Sequence, residues 1–521
     1  MAKIITAKEA SQLIPDGATV GLAGMGLSGW PEEIACAIAD NYLETGHPHG
    51  INLKQGSAMG DWKERGVTRL GHEGLISKWS GAHVGSAFSL CKLAVEEKLE
   101  CHCLPQGVIV NLWREIAAGR PGLLTKVGLG TFVDPRIEGG KMNKCTKTDL
   151  VELKEFDGEE YLFFKSFTLD VALLRGTVAD ENGNISFRNE SVLNEGLAVA
   201  EAAKNSGGIV IVQVEYLAKG GTLDPKDIRI PGILVDYVVQ ATDKNACWQT
   251  EGVYYEPAFS GQVKKSLKAI EPLKFDERKV IARRCAMELD KGDILNLGVG
   301  IPAEMGKVLA EEDMFEDIIM TTESGMVGGV PAALPNFGSA YNPEAIMVHG
   351  DMFDFIDGGG LDATCLGIGE ADKEGNINVS KFGNRLTGPG GFINITKSTP
   401  KVIFCGTFMG KAKVKVGNGK IEILEEGTIR KFKESVEQIT FSGKYKGENQ
   451  KVVYITERCV FELINGKMTI TEIAPGIDIN KDVISNMDFI PEVSVDLKTM
   501  NPDIFCEDWG GLKNHIENKT K

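Results

Sequence analysis

The stretch DGATVGLAGMGLSGWPEEIACAIA (residues 16–39) returns in altered form as KGDILNLGVGIPAEMGKVLA (residues 291–310). Each copy reads as a turn, a short apolar strand, a glycine-rich loop and then a proline at the mouth of an amphipathic helix. Gly29, Pro31, Glu33 and Ala39 recur as Gly300, Pro302, Glu304 and Ala310 at one constant spacing. A second pair lies downstream. DVALLRGTVADENGNI (170–185) and DATCLGIGEADKEGNI (362–377) share their Asp, Ala, Asp, Gly, Asn and Ile at matching positions. A long strand follows each, in GGIVIVQVEYL (207–217) and PKVIFCGTF (400–408). The order is the same in both halves, so the chain is one unit duplicated and fused. The two pairs are spaced differently because the first copy carries extra sequence, chiefly within 60–160.

Short β-branched runs bounded by Gly and Asp alternate with helical stretches such as EEIACAIADNYLE (32–44) and ERKVIARRCAMELDKG (277–292). That alternation predicts an α/β fold of two homologous, largely parallel open sheets. The charged segment KKSLKAIEPLKFDER (264–278), with Pro272 inside it, is the natural linker. It divides the chain into an N-terminal domain, 1–270, and a C-terminal domain, 271–521, which the segment IAPGIDINKDVI (473–484) helps to close. Ligands in such sheets bind beyond the carboxyl ends of the strands, so the active site is expected where the two domains meet.

Composition removes several function classes. Apolar residues make up 42% and charged residues 25%, enough for each half to bury its own core. No apolar run approaches the roughly 20 residues that span a bilayer. The start, MAKIITAKEA, lacks a signal peptide's apolar stretch. A cytoplasmic protein with no membrane partner is therefore expected. A formal charge of −16 argues against a nucleic-acid partner. Eleven cysteines without a repeated spacing read as reduced core residues. Cys101-His102-Cys103 has no second motif to complete a metal site, so no metal is expected. Seven histidines, none in a catalytic motif, give little support to histidine chemistry.

Gly24-Met25-Gly26-Leu27-Ser28-Gly29 matches the dinucleotide-binding pattern G-x-G-x-x-G. The next strand, INLKQG (51–56), ends without the acid that would bind a ribose, and the sister loop Gly298-Val299-Gly300-Ile301-Pro302 drops the third glycine. The loops then read either as tight turns or as backbone N–H groups held near some other anion. DIIMTTESGMVGGVPA (317–332) is an apolar strand broken at Glu323 by a glycine-rich turn. The equivalent place in the first half, Gln55-Gly56-Ser57, carries no acid, so one carboxylate serves the pair of domains. Asp357–Asp362 and Thr387–Phe392 are further glycine-rich segments, each a substrate loop or a plain turn. Leu104-Pro105-Gln106-Gly107 follows a strand and would leave the Gln106 amide free, unless it is a surface turn.

Together these motifs resemble the class I CoA-transferases. Glu323 in TTESGMVGGVP resembles that family's E-S/N-G-x-x-G catalytic signature, and Gly388-Pro389-Gly390-Gly391-Phe392 resembles its G-x-G-G-F oxyanion loop. Gly29-Trp30-Pro31-Glu32-Glu33-Ile34 is similar to its G-x-P-x-x-L/I element, and Pro105-Gln106-Gly107 to its P-Q-G segment. ITERCVF (455–461) and IAPGID (473–478) resemble its C-terminal signature. GLGTFVDPR (128–136), DGGGLD (357–362) and KEGNINVSKF (373–382) are most similar to fused propionate or acetate enzymes. The resemblance implies transfer of CoA from a short-chain acyl-CoA to acetate, propionate or butyrate, by a ping-pong route through a glutamyl-CoA thioester on Glu323. It also implies oxyanion or substrate contacts from Gln106, Gly390 and Gly391, and CoA or substrate contacts from Gly26, Gly29, Gly300 and Gly388. Coenzyme A is then a substrate and not a resident cofactor, and a homo-oligomer (dimer or tetramer) is expected. Trp30 and Pro389 depart from the family pattern where an acyl group or CoA arm is expected to lie. An acyl-CoA hydrolase using the same glutamate is the alternative, ahead of a nicotinamide-dependent dehydrogenase.

Overall fold

Short runs of Val, Ile and Leu between glycines form the strands. The structure, a computed structural model describing residues 2–266 and 272–519, gathers them into two ten-stranded sheets. The main path of the first runs through β1 (Lys3–Ile5), β2 (Thr19–Leu22), β3 (Ile51–Gln55), β4 (Ile76–Gly81), β5 (Glu100–Cys103), β6 (Val171–Asp180), β7 (Ile209–Ala218) and β8 (Tyr237–Gln240), with the short strands Ile185–Ser186 and Ile228–Ile230 beside it. Their spatial order is β1-β8-β7-β6-β2-β3-β4-β5, and every pairing on this path is parallel. Val210, Ile211, Val212 and Val214 are all buried, because helices cover both faces and leave no side for alternation. An antiparallel unit of Gly122–Thr125, Val151–Phe156 and Glu159–Lys165 accounts for part of the extra sequence in the first half.

The second sheet contains β9 (Ile294–Leu297), β10 (Ile319–Thr321), β11 (Met326–Val327), β12 (Ala345–Ile346), β13 (Ala363–Gly367), β14 (Lys401–Cys405), β15 (Lys451–Ile455), β16 (Cys459–Ile464), β17 (Lys467–Ile473) and β18 (Glu492–Thr499). They lie in the order β12-β11-β10-β9-β13-β14-β15-β16-β17-β18. The run β8-β7-β6-β2-β3 of the first sheet has its counterpart in β15-β14-β13-β9-β10 of the second. Both runs are parallel throughout, so the sequence repeat is a repeat of topology.

The helices that matter for the site are α1 (Glu32–Thr45), α2 (Gln106–Ala117), α3 (Gly196–Asn205), α4 (Glu277–Ala286), α5 (Ile301–Glu311), α6 (His349–Asp357) and α7 (Phe392–Ser398). The helix expected over 277–292 ends early. Glu288 and Leu289 donate to Cys285 and Ala286 in tight turns, so α4 stops at Ala286. The proposed domain boundary, between 270 and 271, falls outside the described residues. One apolar core fills the first half, and two clusters fill the second on either side of its sheet. Cys285, Cys365 and Cys405 meet in that second core, with the sulfurs of the last two 3.6 Å apart. Among the described residues, no helix is long and apolar enough to cross a membrane.

The halves dock through α2 and α6. Arg114 pairs with Asp351 and Asp354, and Asn111 Nδ2 donates to Asp354 Oδ1 at 2.8 Å. This contact sets the ends of the two sheets against one another.

Candidate active site

Glu323 follows β10 directly, and the residues around it explain the local motif. Gly325 N–H closes the turn on Thr322 O at 3.0 Å, and the Ser324 hydroxyl donates to Gly338 O. Gly325 has φ +118°, and a Cβ there would lie 2.2 Å from Met347 O, so only glycine fits. The turn delivers the Glu323 side chain into a cavity of about 250 Å³ between the halves. Its walls come from loops at the carboxyl ends of strands in both sheets. The first half supplies Met25, Gly26, Trp62, His83, Gln106 and Glu251; the second supplies Asn296, Val299, Phe337, Gly388, Pro389 and Gly391.

Glu323 is only 6% exposed, and burial raises its carboxyl above the ordinary range. Asn296, near the end of β9 and fully buried, has neither amide atom in a close hydrogen bond to the protein, and its side chain stands near enough to Glu323 to oppose the rise of that carboxyl. The His83 ring, held edge-on by Trp62 at 5.3 Å, is pushed down to about 4 by burial and leaves Nδ1 unpartnered. Burial, with the nearby Asp61 charge, raises Glu251 to about 8. The cavity therefore holds several polar groups that the protein itself does not satisfy, as a ligand site requires.

The loop Thr387–Gly391 is threaded between the halves. Thr387 and Gly388 N–H both donate to Ser380 O at 2.9 Å, and Gly85 N–H donates to Thr387 O at 3.1 Å. Gly390 N–H donates to Ala82 O at 2.9 Å, and Gly390 O in turn accepts from Gln106 N–H at 3.0 Å. Sequence pairs Gly390 and Gly391 as donors, but the Gly390 N–H is occupied by Ala82. Among the described residues, the Gly391 N–H has no protein acceptor. A Cβ at Gly391 would lie 3.4 Å from Glu323 Cγ, so this end of the loop packs against the Glu323 side chain.

Gln106 lines the cavity, yet its amide is not free. It opens α2, and its Nε2 lies 2.9 Å from His349 Nε2. His349 Nδ1 lies 2.8 Å from Glu195 Oε2. Gly26 and Gly388 also line the cavity, whereas Gly29 and Gly300 do not. A Cβ on Gly29 would meet Asn194 Nδ2 at 2.3 Å, which makes it a packing glycine, and Gly300 is the exposed N-cap of α5. Trp30 does not border the cavity either: it is buried, with Nε1 donating to Glu32 Oε2 at 2.6 Å. The G-x-G-x-x-G loop folds as a small hairpin in which Met25 and Ser28 exchange hydrogen bonds and Gly26 N–H donates to Ala58 O. Those N–H groups are used, so they form no phosphate cradle. Asp357 lies behind the site and accepts both bonds from Asn394 Nδ2 at 3.0 Å, while Asn394 Oδ1 accepts from Gly107 N–H. The DGGGLD segment is thus a supporting turn.

Sequence reading missed Asn296, Glu195, His349, Trp62, His83 and Glu251. Asn296 did carry a signal, a polar residue inside an apolar strand destined for burial on both faces. The others have no local pattern.

The geometry is that of an enzyme with a buried glutamate in a cleft between duplicated α/β halves. Residues 4–241 match the family model described as Coenzyme A transferase. The chain is 67% identical to the caffeate CoA-transferase of Acetobacterium woodii, covering 98% of this chain and 99% of that one. It is 40% identical to the acetate CoA-transferase YdiF of Escherichia coli O157:H7, over 97% of this chain and 95% of the relative. The crystal structure of the YdiF apoenzyme matches with a TM-score of 0.92 at 38% identity, covering 98% of this chain and 97% of that one. The same enzyme has also been solved as a thioester complex with CoA. The chain belongs to the coenzyme A transferase family, and it is a CoA-transferase.

Proposed function

We propose that the enzyme transfers CoA between carboxylic acids by a ping-pong route in which Glu323 is the covalent nucleophile. The observation that carries this reading is the placement of Glu323, buried against Gly391, whose N–H has no acceptor among the described residues, in a cavity that Gln106 also lines. A Glu323 oxygen attacks the thioester carbon of acyl-CoA. The C–S bond breaks, leaving a glutamyl-acyl anhydride and CoA thiolate. The thiolate then attacks the glutamyl carbonyl, expelling the first acid as its carboxylate and leaving a Glu323–CoA thioester. A second carboxylate reverses both steps. Splitting one transfer in this way is the usual gain from covalent catalysis. The oxyanions formed on the way would be met by Gly391 N–H and the Gln106 amide, donors fixed before reaction.

Incubation with acyl-CoA and no acceptor acid, followed by digestion, tests this reading. CoA mass on the Glu323 peptide is the expected result. An unmodified peptide would overturn it, and steady release of free thiol without acceptor would favour the hydrolase. The burial of Glu323 speaks against the hydrolase, because water must reach the intermediate to cleave it.

For the acids, we infer a range from short-chain to aryl, since relatives are named for acetate and for caffeate. Trp62 is the candidate size limit. Its ring and Thr387 form a shared wall between the active-site cavity and a second, apolar cavity of about 490 Å³ lined by Phe88, Cys91 and Leu386. Trp62→Ala is expected to join the two spaces. In an acceptor series from acetate to aryl acids, kcat/KM for the bulkiest should rise about tenfold or more relative to acetate.

A further inference from the structure

Three buried side chains cross the boundary between the halves in one line. Glu195 precedes α3 in the first half, His349 opens α6 in the second, and Gln106 opens α2 back in the first. They are 3%, 0% and 2% exposed, so no solvent competes for their bonds. The Glu195 Oε2–His349 Nδ1 distance is 2.8 Å, and the His349 Nε2–Gln106 Nε2 distance is 2.9 Å.

The backbone around the line is fixed as well. His349 N–H donates to Leu193 O at 2.8 Å, and Val348 bridges Leu193 across the halves. Gln106 N–H donates to Gly390 O, which ties the same residue to the oxyanion loop. Glu195 reaches the first-half counterpart of the Glu323 turn, because a Cβ on Gly56 would lie 2.5 Å from its Oε1. The first-half loop lacks an acid of its own, and a buried acid from elsewhere stands against it.

The Gln106 nitrogen faces the ring, and this orientation assigns the bonds along the line. The Gln106 nitrogen can only donate, so His349 Nε2 accepts. Nδ1 is then the ring atom that donates to Glu195. Glu195 thereby sets the tautomer of His349, and the tautomer sets which end of the Gln106 amide faces the ring. The amide cannot turn over without losing a buried hydrogen bond. His349 holds one N–H of Gln106, a residue that lines the cavity, and the second N–H has no acceptor among the described residues.

We propose that Glu195 and His349 are positioning residues that act on the reaction through Gln106. The proposal rests on the oxyanion role assigned to Gln106 above. It is tested by a double-mutant cycle in the full-length enzyme, reading kcat and KM for acyl-CoA together with the yield of the Glu323–CoA adduct. Gln106→Ala should lower kcat on the order of 10²–10³-fold, as for loss of one oxyanion donor. His349→Phe should lower kcat about 10–100-fold with KM for acyl-CoA little changed. The double variant should be no slower than Gln106→Ala alone, since residues acting through one group are not additive. A merely structural histidine would lower activity in both backgrounds, so multiplicative losses would overturn the proposal. An unchanged kcat in His349→Phe would overturn it too.

His349→Gln guards against a variant that does not fold. Its side chain can accept from Gln106 and donate to Glu195, so partial recovery of kcat is expected, with the remaining loss again absent in the Gln106→Ala background. Glu195→Gln, which frees the tautomer, should follow the same rule. If the wild-type enzyme forms no Glu323 adduct, the covalent reading fails. If it forms the adduct and the cycle is multiplicative, only the positioning role fails.

Discussion

Replacing Glu323 by alanine or glutamine is expected to abolish the CoA adduct and lower transfer on the order of 10⁴–10⁶-fold, the range seen when a covalent nucleophile is removed. Glu251 lines the same cavity, but burial and the Asp61 charge raise it to about 8, so it is mostly protonated near neutral pH and a poor nucleophile. The counterpart turn in the first half is Gln55-Gly56-Ser57, and Glu195 is held by His349. The glutamine variant should be at least as stable as the parent in thermal melts. Burial already disfavours the charged carboxyl, so a neutral amide of the same shape removes a cost. A fall in both activity and melting temperature would mean that Glu323 is structural. The raised carboxyl also fixes the sign of the acid limb. Attack needs the ionised form, so kcat/KM should fall with decreasing pH at a midpoint above the ordinary carboxylate value of 4.5. A limb at or below that value would contradict the burial seen here.

How much of this was legible in the sequence depends on how local each feature is. The duplication and the parallel sheets were readable because strands buried on both faces appear as unbroken apolar runs, and the Asp-x-x-Gly-Asn-Ile turns mark the register of both copies. Glu323 was readable because it breaks such a run and has no counterpart in the other half. What escaped was set by distant partners. Gln106 looked free, and its amide meets a ring 243 positions away. Gly390 looked like a donor, and its N–H is taken by Ala82 across the domain boundary. Gly29 looked like a ligand glycine because its motif says so, yet Asn194 is what forbids a side chain there. A motif fixes residue types, but which N–H groups stay unpaired is decided only when the two halves meet.

Arg458→Met is expected to lower the stability of the folded enzyme by about 3–5 kcal/mol, the usual cost of removing one partner from a buried ion pair. Arg458 is fully buried in the turn between β15 and β16. Its guanidinium grips both Glu426 oxygens at 2.7 and 2.8 Å, donates to Asp482 O at 2.8 Å and to Glu457 Oε1 at 3.3 Å, and lies over the Phe408 ring at 5.0 Å. Glu457, also buried, accepts from Phe408 N–H at 2.8 Å, so the ITERCVF motif acts as a clamp on three loops. Burial raises the Glu457 carboxyl, and Arg458 is the first of the groups opposing that rise. Methionine keeps much of the volume and removes the charge, so Glu457 should titrate higher still. Between its unfolded and folded pKa the folded state then holds a proton that the unfolded chain has released, and stability declines as pH rises through that window. The gap between parent and variant in urea unfolding should therefore be smaller near about pH 5 than near about pH 8. A gap that is independent of pH would mean that the loss comes from packing on Phe408, and a gap below about 1 kcal/mol would show that the clamp is screened like a surface pair.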